Sequence, residues 1–149
     1  MQYGGFWIRL AAYMIDTVVL MIPQYLLRFF YFSTVPVRSY VEYQTHNFIF
    51  AFFVALPLSW VYFAYLTSSP WQATIGKRAL GLVVTDYSGH RLTFGRATGR
   101  FFAKGLSGLI LGIGFFMVGW TKRKQGLHDI LAETLVIKID RRQNPAIRP

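Results

Sequence analysis

Cysteine is absent from the 149 residues. That excludes disulfide stapling, thiolate chemistry and Cys-based metal sites, and it leaves the compartment open. Acids are scarce: six Asp and Glu stand against sixteen Lys and Arg, a formal charge of +10. Charge of either sign makes up only 15% of the chain, where a soluble domain carries about a quarter. In its place are apolar residues at 54% and aromatics at 18%. A soluble domain this short has too little interior to hide so many Phe, Trp, Tyr and Leu side chains. Lipid is the simpler solvent for them. The basic residues flank the apolar segments, so the positive charge reads as membrane topology, not as a nucleic-acid footprint. The length suits one domain.

The first apolar segment, residues 6–32, is more than long enough to span a bilayer core. Arg9 and Asp16 lie inside it, no basic run precedes it, and no small-residue cleavage site ends it. It is therefore expected to be a retained helix and not a signal peptide. Pro23 should kink it near Val19, because proline lacks an N–H and crowds the carbonyl four residues back. Residues 33–46 are polar, contain Pro36, Arg38 and Glu42, and have no net charge apart from His46. Tyr40 and Tyr43 there suit a headgroup region. Residues 47–66, NFIFAFFVALPLSWVYFAYL, hold no charge and form the clearest span, with Pro57 tolerable as a mild kink. Trp60, Tyr62 and Tyr65 gather toward its second end.

Residues 67–104 carry Lys77, Arg78, Arg91, Arg96, Arg100 and Lys104 against the single acid Asp86. Such an excess in a short loop marks the cytoplasmic side, and an intervening crossing then puts the amino terminus there too. Residues 80–93 read as a β-like element. LGLVVT is a strand, Asp86 to Gly89 a turn, and Arg91-Leu92-Thr93 a returning strand. A third strand, TLVIKI at residues 134–139, would help a hairpin that is marginal alone.

Residues 94–120 pose the topological choice. The stretch GLSGLILGIGFFMVGW is short for a crossing and is interrupted by Gly105, Gly108, Gly112, Gly114 and Gly119. A single crossing would put Lys122-Arg123-Lys124 outside and separate the strand candidates. A broken helical hairpin avoids both: in over residues 94–109, a turn near 111–114, and back through Trp120. It is the favoured reading, provided that protein or water covers the turn's backbone. A plain third helix, with glycines serving close packing, stays open. The expected architecture is an all-α polytopic membrane protein with two full transmembrane helices, this short hairpin and a small cytoplasmic β element. An amphipathic stretch and strand over residues 125–139 and a basic tail at 141–149 complete it.

The charged residues near the bilayer are candidates for function. Arg9 and Asp16 stand seven residues apart, about 10 Å along a helix, so direct pairing is marginal. A lone carboxylate in the apolar interior costs about 2.5–3.5 kcal/mol on insertion scales. Asp16 should therefore face the bundle or a water-filled cavity, in a structural hydrogen-bond network or as an ion or proton site, or lie at the interface if the span starts later, near Thr17. Arg9 suits an anchor at the headgroups. Gly76-Lys77 lacks the rest of a phosphate loop and reads as a turn before basic residues. In Gln125-Gly126-Leu127-His128-Asp129, His128 and Asp129 suit a proton relay. Asp129 alternatively caps a helix start or neutralises Lys77 or Arg78. Lys77, Arg78, Arg100, Lys104, Lys122, Arg123 and Lys124 form an expected lipid-facing basic patch. No nucleophile with a base and an orienting group emerges, so neither an enzyme nor a cofactor is expected.

Taken together, these segments carry a resemblance. Gly5-Phe6-Trp7-Ile8-Arg9 through Tyr13-Met14-Ile15-Asp16 resembles the first motif of the RDD family of bacterial membrane proteins, named for one Arg and two Asp. Thr74-Ile75-Gly76-Lys77 through Gly81 and Gly89 to Leu92 and Arg100 looks like its central motif. Gln125 to Thr134 resembles the closing motif, with Asp129 as the second Asp. The likeness covers nearly the whole chain in the right order and leaves out the tail at residues 141–149. It implies that Arg9, Asp16 and Asp129 belong together. Some relatives are linked to exchange of monovalent cations for protons. The resemblance therefore implies a small transporter, homo-oligomeric because two helices and a hairpin enclose a pathway poorly. Asp16 and Asp129 would handle Na⁺, Li⁺, K⁺ or H⁺ in the bacterial inner membrane, with both termini cytoplasmic. The alternative is a non-transporting scaffold or accessory protein that binds anionic lipid or a partner protein.

Overall fold

A computed structural model describes residues 2–109 and 116–139. The expected hairpin turn near 111–114 and the tail at 141–149 lie outside these residues. In chain order the elements are β1 (Gln2–Tyr3), α1 (Phe6–Thr34), α2 (Tyr40–Phe50), a π-helical turn (Ala51–Ala55) and α3 (Leu56–Ser68). After them come α4 (Ile75–Ala79), β2 (Leu82–Asp86), α5 (Phe94–Leu109), a 3₁₀ turn (Met117–Gly119), α6 (Leu127–Leu131) and β3 (Thr134–Lys138).

Two rods dominate. α1 has 29 residues, and Tyr40–Ser68 makes a second rod of 29. At 1.5 Å per residue each exceeds the roughly 30 Å hydrocarbon core. Both are apolar enough to cross a membrane, yet only 17% and 11% of their most apolar stretches are buried. A soluble core helix hides its apolar side chains; these helices turn theirs outward. The buried residues of α1 are Ala12, Asp16 and Leu20, at i, i+4 and i+8 on one face. α1 runs on past Pro23 as one helix.

The second rod starts earlier than its apolar run suggests, because Ser39-x-x-Glu42 is a helix start signal. The Ser39 hydroxyl accepts from the Glu42 amide at 3.2 Å, and the Glu42 carboxylate accepts from the Arg38 amide at 2.7 Å. The polar link thus shrinks from 33–46 to 35–39. At Pro57 the rod answers with a π turn: the Leu56 amide bonds the Ala51 carbonyl, five residues back. The wider turn absorbs the missing N–H of proline and relieves the clash of its ring.

The sheet differs from the expected hairpin. It is antiparallel with the order β1-β3-β2, and residues 91–93 form no strand. Instead the Asp86 carboxylate accepts from the Ser88 and His90 amides, and Gly89 takes the positive φ that the turn needs. The Thr93 hydroxyl then accepts from the Arg96 amide at 3.3 Å, so this short run becomes the entry to α5. β3 pairs in the middle, with Asp86 opposite Thr134 and Gln2 opposite Lys138. Residues 87–133 therefore leave and rejoin the sheet at neighbouring points. Leu82, Val84, Val136, Leu92 and Ala12 form a small buried core between the sheet and the start of α1. α5 lies against α3: the Trp60 indole N–H donates to Thr98 at 3.1 Å, and Phe63 packs on Phe101.

Candidate functional site: two buried carboxylate clasps

Asp16 and Asp129 are both buried, at 1% and 0% exposure, and each is closed by its own set of donors. Asp16 accepts from the Tyr62 hydroxyl at 2.8 Å, the Thr74 hydroxyl at 2.5 Å and the Gly76 amide at 2.7 Å. Three elements thus converge on it: α1, α3 and the first turn of α4. The approach of α4 to α1 depends on Gly76, where a Cβ would stand 2.1 Å from the Ala12 carbonyl oxygen. A glycine between Thr74 and Lys77 reads as a turn in sequence; its use is to let two backbones touch.

Asp129 is held by opposite charge. One oxygen pairs with Arg9 and accepts the Gly126 amide at 3.1 Å. The other pairs with Arg100, whose Nε also donates to Thr134 at 3.1 Å. Arg9 further donates to the Gly4 carbonyl at 2.8 Å and to that of Lys124. Burial by itself would raise the Asp129 carboxyl, but Arg100 and Arg9 overrule it and hold the group well below the usual carboxylate range. Beside it, burial pushes the His128 imidazole down to about 2, against the pull of Asp129. His128 is thus neutral at physiological pH, 3.4 Å from the carboxylate. Gln125 closes the corner, donating to the Thr134 carbonyl at 2.9 Å.

The arrangement redistributes the expected residues. Arg9 pairs with Asp129, 120 positions away, and not with Asp16. Its side chain is turned into the protein, not out to the headgroups. Asp129 does cap the start of α6, but its counter-ions are Arg9 and Arg100 in place of Lys77 or Arg78. Within the expected lipid-facing patch, Lys122, Arg123 and Lys124 are exposed, and Arg78 and Lys104 are half-buried. Arg100 and Lys77 are buried inside the protein. Arg78 lies over the Trp71 ring at 4.3 Å, Lys104 over Phe63 at 4.7 Å and Arg123 over Tyr87 at 5.2 Å. Among the described residues the Lys77 side-chain nitrogen has no hydrogen-bond partner, and burial followed by the charges of Arg100 and Lys104 lowers its pKa well below the ordinary lysine value.

Tyr62, Thr74 and Arg100 are the partners that sequence reasoning did not assign to the carboxylates. For Arg100 a signal existed: Arg96, Arg100 and Lys104 recur every four residues, a basic stripe along one face of α5. Arg96 uses that face to reach the Ala132 and Glu133 carbonyls at 3.1 and 2.9 Å.

The RDD family profile matches residues 3–133, from β1 to the turn before β3. The Bacillus subtilis (strain 168) chain named "Uncharacterized protein YxaI" is 38% identical over 146 residues, covering 90% of this chain and 96% of that one. The same organism's "Uncharacterized membrane protein YteJ" is 28% identical over 145 residues, covering 91% and 80%. No solved structure matches. With a match that includes Arg9, Asp16 and Asp129 in order, this chain belongs to the RDD family of membrane proteins.

Proposed function

We propose that this chain is a non-transporting membrane module. Two helices anchor it, and its basic cytoplasmic cap engages anionic lipid headgroups. One observation carries the reading: both oxygens of each buried carboxylate accept from the protein's own N–H and O–H donors. A cation needs oxygen lone pairs turned toward it, and each carboxylate oxygen of Asp16 and Asp129 already faces at least one hydrogen. Asp129, between two guanidinium groups, stays ionised at any physiological pH and has no proton to exchange. The cation/proton exchange that the family resemblance implies finds less support here than a structural role for both acids.

The surplus charge supports the lipid half of the reading. Lys122, Arg123 and Lys124 are exposed next to Trp120, and Trp7 and Trp71 are exposed as well. Amphipathic aromatics beside basic residues suit an interface, and each Lys or Arg near an anionic leaflet contributes about 1 kcal/mol. A headgroup-binding module needs no enclosed pathway, so the motive for a homo-oligomer falls away with transport.

Two measurements test this. Reconstituted protein should move no Na⁺, Li⁺ or K⁺ against an imposed pH gradient; flux abolished by Asp16→Asn would reinstate the exchanger. Quenching of tryptophan fluorescence by brominated lipids should show phosphatidylglycerol enriched over phosphatidylcholine around the wild type. Reversing Lys122, Arg123 and Lys124 to Glu should erase most of that preference. An unchanged preference would remove the lipid assignment.

A further inference from the structure

Lys77 is the polar group that the two clasps leave over. The residue is 7% exposed, and its nitrogen is buried without a hydrogen-bond partner among the described residues. It stands on α4 directly after Gly76, within electrostatic reach of Arg100, Lys104, Asp129 and Asp16. Neither acid serves it. Asp16 is taken by Tyr62, Thr74 and Gly76, and Asp129 by Arg9, Arg100 and Gly126. The cluster thus sets four cations (Arg9, Lys77, Arg100 and Lys104) against two anions. Keeping the lysine neutral does not remove the deficit, because a neutral amine still buries N–H donors with no acceptor. What is missing is an acceptor that also carries negative charge.

We propose that Lys77, Arg100 and Lys104 form a site for one phosphate group, presented by a phospholipid headgroup or as free phosphate. Arg100 and Lys104 are one turn apart on α5 and share a face. Lys77 approaches from α4, so two elements surround the anion. Lys104 is half-buried, with its ammonium over the Phe63 ring, and forms the side from which a ligand enters. A phosphate offers several oxygens to such donors through charge-assisted bonds. α4 begins seven residues after the end of α3 at Ser68, which keeps Lys77 close to where that rod leaves the membrane. The lipid source of the phosphate rests on the headgroup-binding reading above; the free-phosphate source does not.

The test uses the full chain purified in non-ionic detergent, with thermal unfolding followed during titration. The probes are inorganic phosphate and, separately, dihexanoyl phosphatidic acid, with chloride at matched ionic strength as the control. Wild type should show a saturable rise in Tm of several degrees, as expected when a ligand binds only the folded state. A response to inorganic phosphate alone assigns free phosphate, and one to the lipid alone assigns a headgroup. Lys77→Met should unfold no earlier than wild type without ligand, because it removes an unpaired ammonium. Its titration midpoint should rise about tenfold or more. If Lys77→Met does not fold, Lys104→Gln serves, with a midpoint raised at least severalfold. A wild type that saturates with neither probe, or a variant with an undiminished response, overturns the site. Lys77→Met should leave the phosphatidylglycerol enrichment around Lys122, Arg123 and Lys124 intact, so loss of that enrichment in wild type counts against the surface reading alone.

Discussion

His128 and Asp129 share one buried corner and make stability depend on pH with the same sign. The folded His128 pKa lies near 2 against an unfolded value of about 6.5. As pH falls below about 6.5, the unfolded chain takes up a proton that the folded chain refuses. Stability is therefore full above that point and declines by about 1.4 kcal/mol per pH unit beneath it. Asp129, also depressed, adds a loss only below its unfolded value near 3.9. Thermal unfolding in detergent should show Tm dropping from pH 7.5 to 5, and His128→Gln should flatten that slope; an unaltered slope would place the titrating group elsewhere. Individual residues were only partly legible at this scale. Arg9, Asp16 and Asp129 stood out as charges in or beside apolar segments. Their partners did not, because Tyr62, Thr74 and Gly76 lie 46 to 60 positions from Asp16 and no local pattern links them.

Elements were legible wherever the local signal was complete. The apolar runs marked both rods, and the helix expected over residues 94–109 coincides with α5. α2 starts ahead of its apolar run because the Ser39-x-x-Glu42 cap, and not hydropathy, sets its first turn. Ser39→Ala should cost about 1 kcal/mol, read as a Tm shift. The strand expected at 91–93 was lost to a competing local preference, with Thr93 capping α5. β2 still found a partner, though a distant one. The packing of α4 on α1 is more demanding. Gly76→Ala should destabilise by about 3 kcal/mol or more, since its Cβ would meet backbone and not a movable side chain. Gly95→Ala, with nothing within 4 Å of the added carbon, is the control and should be neutral or slightly stabilising. Equal Tm losses in the two variants would refute the close approach.

At the scale of the molecule, the sheet ties the beginning, middle and end of the chain together. β1 precedes the first rod, β2 follows the second, and β3 lies beyond residues 94–120, yet all three share hydrogen bonds. If both rods cross the bilayer, the segment between β2 and β3 crosses an even number of times or not at all. The absence of native cysteine makes this directly measurable. Single cysteines at the exposed positions Ser88 and Lys138 should react with an impermeant maleimide only after cells are opened, while Arg38→Cys should react in intact cells. Opposite labelling of Ser88 and Lys138 would break the shared-side topology.

Sequence by itself determined the solvent of this protein, because hydropathy and charge are sums over neighbouring residues and need no fold to be evaluated. It determined the two rods for the same reason, and the family through motifs spread in order along the chain. Only the tertiary structure decided which cation meets which acid. Arg9 and Asp129 are 120 residues apart, and their pairing exists only once the sheet has brought the two ends of the chain to one place. The same closure supplies both carboxylates with internal donors and leaves Lys77 without an acceptor among the described residues, a difference that no property of the residues taken singly contains.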